Sequence, residues 1–389
     1  EEDLYKSYET IGLKKARRHE PDANFWLNRI PDRYSNQSIR EWQVRSAIRQ
    51  ADWPELVVAI ERLPPSKQAE LRWQYWWAYA NEQIGYTKLA EGFYHSLANR
   101  RSFYGFLAAD YLGLPYSFEV HPLQADSVEI HKLSNTEQAQ RAKELFSLKR
   151  IPEARREWHQ LMDLLDEQQK LVASKLAQQW GWHDRAIFTM GKTKYRDDIA
   201  LRFPLPLLDK VTNWSEQNSI DPALTYAIIR RESAFMSDAK SSKGALGLMQ
   251  LQPRTARHVA RNMNVRYRGK HSLLKTDTNI KLGTGYLQQM LDRHDSQAVL
   301  ATAAYNAGPH RVKAWLPEYQ PMEAIRWIET IPFHETREYV SNVLAYTIIY
   351  EYVMGSEPSR LQDRMPPVQP KDTESQVSQQ AEPQASNKS

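Results

Sequence analysis

Ser219-Ile220-Asp221-Pro222-Ala223-Leu224-Thr225-Tyr226-Ala227-Ile228-Ile229-Arg230-Arg231-Glu232-Ser233-Ala234-Phe235 reads as one helix with both ends written into it. Asp221 is a good N-cap, and Pro222 suits the first helical position, where a missing N–H costs nothing. Leu224, Ile228 and Ile229 supply an apolar face, so the helix is expected to bury one side and to carry Glu232 in its last turn. A carboxylate there faces the partial negative charge of the helix C-terminus, and partial burial beside Phe235 adds to the effect; both favour the protonated form. A general acid that cleaves an acetal near neutral pH needs a carboxyl of this kind. Taken alone, Arg-Arg-Glu-Ser at a helix end reads as readily as a solvated glutamate paired with Arg230, Arg231 or Lys240. The neighbouring sequence separates the two readings.

Downstream, Ser241-Ser242-Lys243-Gly244-Ala245-Leu246-Gly247-Leu248-Met249-Gln250-Leu251-Gln252-Pro253 is a glycine-containing loop leading into a helix opened by Pro253. Gly244 and Gly247 permit positive φ and close backbone approach. Such a loop can lay backbone groups and the Gln250 amide along a sugar chain, although a tight helix-to-helix connection would use the same residues. Asp238 is a candidate second carboxylate, but its Ser-Asp-Ala-Lys turn favours a capping role. Ala301-Thr302-Ala303-Ala304-Tyr305-Asn306-Ala307-Gly308-Pro309 is a small-residue helix with a Gly-Pro stop and Tyr305 near its end. Ile331-Pro332-Phe333-His334-Glu335-Thr336-Arg337-Glu338-Tyr339-Val340 opens a long helix, with Glu335 and Tyr339, four apart, on one face.

Upstream, residues 38–112 read as successive amphipathic helices: Trp53 to Leu63, then Pro64-Pro65, then Ser66 to Ile84 ending at Gly85. Leu71, Tyr75, Ala78 and Tyr79 fall at helical spacing, so the aromatics read as core between stacked hairpins. No strict repeat consensus accompanies them. Residues 113–133 break the pattern, a second helical block runs from Asn135 to about Arg202, and Phe203-Pro204-Leu205-Pro206 punctuates again. The expected fold is all-α: helical hairpins over 1–125, a helical linker over 126–202, a catalytic segment over 203–355, and a disordered Pro-, Gln- and Ser-rich tail over 356–389.

The chain has 389 residues, 25% charged and 41% hydrophobic, with 12 Trp and 20 Tyr, which suffices for more than one buried core. A formal net charge of +5 is a modest and dispersed excess that argues against nucleic acid and leaves a polyanionic wall polymer open as partner. Zero cysteines exclude disulfides, thiolate metal sites and cysteine nucleophiles in this chain. No run reaches the roughly 18 apolar residues of a membrane span. The N-terminus has neither basic nor apolar leader regions, so any export signal or outer-membrane anchor is expected to lie outside these residues.

Glu232-Ser233, Gly-Leu-Met-Gln at 247–250, Ala-Tyr-Asn-Ala-Gly at 304–308 and Ile-Pro-Phe-x-Glu-Thr-Arg-x-Tyr-Val at 331–340, in this order, resemble the soluble lytic murein transglycosylases. Residues 274–287, with Asn279-Ile280, Gly283 and Tyr286-Leu287, are similar to the remaining family motif. The resemblance implies a lysozyme-like catalytic domain, a small helical linker and a superhelical scaffold that this chain enters partway, as a truncated or processed form. It implies Glu232 as acid/base, and Ser241, Met249, Gln250, Ala304, Tyr305 and Glu335 as cleft residues. Ser233, Asn306 and Tyr339, inside the same motifs, join them as candidate substrate contacts. Gln252 departs from the pattern, since methionine is usual before the proline, which puts contacts at that subsite in doubt.

Most glycosidases use two carboxylates, and the motifs here offer one. With a single acid, the N-acetyl group of the muramic residue attacks its own anomeric carbon, and Glu232, now a base, takes the 6-hydroxyl proton to close a 1,6-anhydro ring. This chemistry requires neither metal nor organic cofactor. A hydrolytic muramidase of the same fold and a non-catalytic wall-binding scaffold are the competing readings. The expected partners are peptidoglycan strands in the periplasm, with wall-synthesis or division proteins as further candidates for the scaffold.

Overall fold

The computed structural model describes residues 1–118 and 120–371. The hairpin array is built from Glu2–Arg17, Ala23–Leu27, Gln37–Gln50, Trp53–Glu61, Leu71–Gln83, Thr87–Ala98 and Phe103–Leu112. Its starts follow side-chain chemistry: Asn36, Asp52 and Ser102 each accept the backbone N–H three residues on, satisfying donors that the first turn leaves open. Trp73, Trp76, Tyr94 and Phe106 are fully buried, so these aromatics pack the core as expected. The helix expected over 66–84 is divided into Pro65–Gln68 and Leu71–Gln83. Glu70 is extended there, and the Gln68 amide donates to the carbonyls of Glu61 and Leu63, which ties the break to the preceding helix.

The second block comprises Ser127–Ser134, Glu137–Ser147, Ile151–Leu164, Glu167–Gln179, His183–Gly191 and Ile199–Arg202. A capping box between Asp166 and Gln169 opens the fourth of these helices. Trp158, Leu161, Met162, Leu176 and Trp182 form their core. The remaining long helices are Leu208–Gln217, Pro222–Glu232, Pro253–Asn262, Thr276–Arg293, Ala298–Ala307 and His334–Val353. Among the described residues there is no strand, only isolated bridges such as Lys240 with Leu246 and Leu246 with Leu251.

Packing groups the chain into two compact units, one of residues 1–117, 287–345 and 359 onward, the other of 118–286 and 346–358. Residues 287–345 therefore pack with the hairpin array, and the reason is partly ionic. Glu329 is 1% exposed, accepting from Arg45 Nε at 3.2 Å and Tyr104 Oη at 2.7 Å, with Arg72 Nε also 3.2 Å away. Burial alone would raise the Glu329 pKa, but Arg72, Arg45 and Arg337 outweigh it and hold the carboxyl below its usual value.

The same unit contains a strap that the sequence suggests is disordered. Leu361 and Val368 are fully buried. The Val368 N–H donates to Met322 at 2.7 Å, and the Leu361 N–H donates to Tyr116 Oη at 2.6 Å. Two aliphatic residues in a polar stretch thus fix the segment that a compositional reading gives to the tail. Residues 372–389, the rest of the expected tail, lie outside the described residues.

Candidate active site

The helix expected to carry the acid/base runs Pro222–Glu232, with the Asp221 side chain accepting the Ala223 N–H and Pro at its start. Glu232 is its last residue and is half-buried. Tyr226 and Ile228 on this helix are fully buried, and the Tyr226 ring stacks on Tyr350 at 5.1 Å between centroids, so the helix that ends in Glu232 is seated on core aromatics. Ala234 and Phe235 then take positive φ, which turns the chain sharply after the carboxyl. The Ser233 hydroxyl donates to the Ile229 carbonyl at 3.2 Å and is buried, so it closes the helix.

The loop that follows is pinned by a residue singled out in the sequence only as part of a motif. Asn279 is fully buried, and its Oδ1 accepts the Met249 N–H at 2.7 Å. Its Nδ2 donates to the carbonyls of Leu246 and Leu273 at 2.9 and 2.8 Å. Gly247 has φ +78°, and a Cβ there would lie 2.3 Å from Asn279 Nδ2. A Cβ on Gly283 would meet Met249 Sδ at 2.2 Å, so that glycine admits the methionine into the core.

Gln250 donates its amide nitrogen to the Gly247 and Ala239 carbonyls at 2.8 and 3.2 Å, which leaves the amide oxygen as the group to offer a ligand. Ser241 Oγ accepts the Ala245 N–H at 3.0 Å. Gln252, the departure from the family pattern, donates to the Lys243 carbonyl at 2.9 Å and so staples the two ends of this loop.

Asp238 has a definite occupation. Arg155, from the linker helix Ile151–Leu164, donates to both of its carboxylate oxygens at 2.8 and 2.7 Å. Arg185 Nη2 reaches Met236 Sδ at 3.8 Å from the helix His183–Gly191. Two linker arginines therefore hold the turn after Glu232. Sequence reasoning weighed Asp238 as a cap or a second acid; the partner that decides lies 83 residues upstream.

The other expected site residues belong to the unit containing the hairpin array. Ala304 is fully buried in the helix Ala298–Ala307, Tyr305 is 8% exposed, and Asn306 Oδ1 accepts from the Thr336 hydroxyl at 2.8 Å. That bond fixes the end of this helix to the start of His334–Val353. Glu335 is exposed and lines a cavity of about 870 Å³ together with Trp42, Trp315, Phe333 and Arg337. Tyr339, four residues on, is 2% exposed, so its ring belongs to the packing beneath Glu335 and not to an open face. Thr336, buried and polar, is a supporting residue that the sequence reading did not single out, whereas Asn279, also buried, was named there only within a motif.

Comparison with known proteins places these residues in matched segments. Residues 209–328 match the transglycosylase SLT domain, 132–199 the soluble lytic murein transglycosylase L domain, and 330–359 the soluble lytic transglycosylase helical domain. The soluble lytic murein transglycosylase of Salmonella typhimurium is 33% identical over 340 residues, covering 87% of this chain and 52% of that protein. Its Escherichia coli K12 counterpart is 32% identical over 338 residues, with shares of 86% and 52%. An inactive mutant of lytic transglycosylase Slt from Pseudomonas aeruginosa superposes with a TM-score of 0.88 at 35% identity, covering 93% of this chain and 59% of that one. The 70 kDa soluble lytic transglycosylase of Escherichia coli superposes with a TM-score of 0.77 at 31% identity, with shares of 87% and 55%. The chain spans about half the length of the curated relatives it matches. With the motifs in order, the helices that carry them in place and likeness over most of its length, the chain belongs to the soluble lytic murein transglycosylase family.

Proposed function

We propose that this chain cleaves the β-1,4 bond between N-acetylmuramic acid and N-acetylglucosamine in peptidoglycan and leaves a 1,6-anhydro end. Glu232 donates a proton to the leaving glycosidic oxygen while the 2-acetamido oxygen of the same muramic residue bonds to C1. The Glu232 carboxylate then takes the proton of the 6-hydroxyl, whose oxygen displaces the acetamido group from C1. The acid is regenerated, and no water is consumed.

One observation carries this reading: the turn after Glu232 offers a single further carboxylate, Asp238, and both its oxygens are held by Arg155. A two-carboxylate route through Asp238 would have to break that fork. Gln250 and Ser241 from the pinned loop, with Tyr305, Asn306 and Glu335, are the proposed sugar contacts. Met249, Ala304, Ser233 and Tyr339 support them from within. Residues 203–355 are the proposed catalytic segment, 126–202 its linker, and the hairpin array a scaffold for wall polymer and its protein partners in the periplasm.

The test is the mass of the products released from purified sacculi. Fragments one water lighter than their hydrolysed counterparts support the lyase. Hydrolysed ends would assign a muramidase, and binding without release a scaffold.

A further inference from the structure

The arginines around Glu329 outnumber the carboxylates that meet them. Arg45 pairs with Glu329 at 3.2 Å and with Glu41 at 3.0 Å, and Arg72 pairs with Glu329 at 3.2 Å and with Glu338. Arg337 is left with the Ile331 carbonyl and with the ring of Trp42, whose centroid is 5.7 Å from the guanidinium carbon. It is 3% exposed, and burial, with the neighbouring charge of Arg45, pushes its pKa down to about 9. Arg337 Nε and Arg45 Nη2 are buried with no hydrogen-bond partner among the described residues. Unmet donors on a buried cation are costly, and an anion brought close to them relieves the cost.

Both arginines line the cavity of about 870 Å³ that Glu335 also lines, together with the buried Trp42 and Trp315. The charged lining is Arg17, Arg45 and Arg337 against Glu41 and Glu335. Glu41 is already held by Arg45 and lies 3.5 Å from Lys67, while Glu335 is exposed, as is Arg17. The charge without a partner is therefore the one out of water, where an entering anion is screened least.

We infer that this cavity binds a sugar that bears its own carboxylate, and that muramic acid with a free lactyl group is the fitting member of that class. The choice of muramic acid rests on the proposed substrate. Two indole rings give the cavity an apolar lining and two guanidiniums give it the few polar groups that orient a ligand, in a volume that holds a sugar with room to spare. Guanidinium forks match carboxylates in two-point geometry. In an intact strand the lactyl carboxyl is tied into an amide bond with the stem peptide and carries no charge. The class of reaction that supplies this ligand is therefore amide hydrolysis, in which water frees the peptide as an amine and the sugar as a carboxylate. The cavity distinguishes a muramic residue that has lost its peptide from one that keeps it.

The experiment is a melt of the full chain titrated with N-acetylmuramic acid, with N-acetylglucosamine, inorganic phosphate and muramyl dipeptide as comparators. N-acetylmuramic acid at about ten times its dissociation constant should raise the melting temperature by about 2 to 4 °C, and the three comparators at the same concentration by less than about a third of that. Arg337→Gln should weaken the response to N-acetylmuramic acid about tenfold, whatever it does to the melting temperature without ligand. If that variant has no cooperative melt, Arg17→Gln at the exposed edge replaces it, with a loss of about threefold. A shift of equal size in wild type and in whichever variant is read would place the sugar acid outside this cavity and overturn the inference. An equal response to N-acetylglucosamine would overturn the role of the carboxylate, one to phosphate the role of the sugar, and one to muramyl dipeptide the preference for a free lactyl group. The melt needs no turnover, so hydrolysed products from sacculi would reject the lyase and leave this site standing. Anhydro products with no shift from N-acetylmuramic acid would keep the lyase and reject the site.

Discussion

Arg155 closes a two-point fork on Asp238, 2.8 and 2.7 Å from its two oxygens, and thereby joins the linker helix to the turn that follows Glu232. The arginine is mostly buried and is itself within 3.4 Å of Asp184, while the Asp238 side chain is 36% exposed. Screening at that exposure limits the pair to about 1 kcal/mol of stability, so its importance lies in geometry. Beside it, the Ala239 carbonyl accepts both the Gly247 N–H and the Gln250 amide, which extends the connection to the cleft loop.

Arg155→Gln is accordingly expected to lower the melting temperature by only a few degrees while reducing kcat on soluble glycan about three- to tenfold. The pH optimum should stay in place, because the proton-transfer group is untouched. Asp238→Asn should fall in the same range. If Asp238→Asn matched the loss at Glu232, Asp238 would be a reacting carboxylate and the single-acid mechanism would fail.

Asn279→Ala leaves the Met249 N–H and the Leu273 carbonyl without the partners they have inside the core. Two buried groups unsatisfied together cost about 2 to 4 kcal/mol, readable in a denaturation midpoint. Gly247→Ala is expected to be comparably harmful, since the new methyl meets Asn279 in a backbone conformation that alanine disfavours. Near-normal stability in both variants would show that the loop is held by something else.

The pinned loop marks where the sequence stops being readable. The cap at Asp221, the helix end at Glu232, the Gly-Pro stop at 308–309 and the helix opened by Pro253 are local events, governed by residues within a turn of one another, and each lies where spacing places it. Arg155 with Asp238, Asn306 with Thr336 and Glu329 with Arg45 are pairings across 83, 30 and 284 residues, and no local pattern encodes them. The strap at 359–371 escaped notice for a related reason. Composition averages over a window, whereas burial depends on single residues such as Leu361 and Val368.

Ending the chain after Gly355 should therefore destabilise the unit that holds the hairpin array. Fully burying an aliphatic side chain contributes about 1.5 to 3 kcal/mol, and two such residues leave with the strap. A melting temperature unchanged by this truncation would mean that the strap adds nothing to the unit it crosses.

His19 gives the fold an acid sensitivity of its own. Burial, and then the positive charge of Arg49, push its pKa down to about 3, while its Nε2–H donates to the Thr330 carbonyl at 2.7 Å. As pH falls below the ordinary value of 6.5, the unfolded chain takes up a proton that the folded one refuses, so stability declines by about 1.4 kcal/mol per pH unit until the folded pKa is reached. His19→Gln keeps a donor for Thr330 and should flatten the pH dependence of the melting temperature between about pH 6.5 and 4.5. Below about pH 4.5 Glu329 adds to the loss, since its carboxyl is held low by its arginines and the unfolded chain takes up that proton first. An identical pH profile in the variant would place the acid sensitivity elsewhere.

The measurement that bears most directly on the mechanism is turnover and product mass for Glu232→Gln on purified sacculi, beside a melt of the same preparation. The amide keeps the shape of the side chain and neither gives nor takes the proton, so release of anhydro products should fall by about 100-fold or more at an unchanged melting temperature. Release at more than about a tenth of the wild-type rate, with the same anhydro ends, would contradict the assignment of Glu232 as the acid and base.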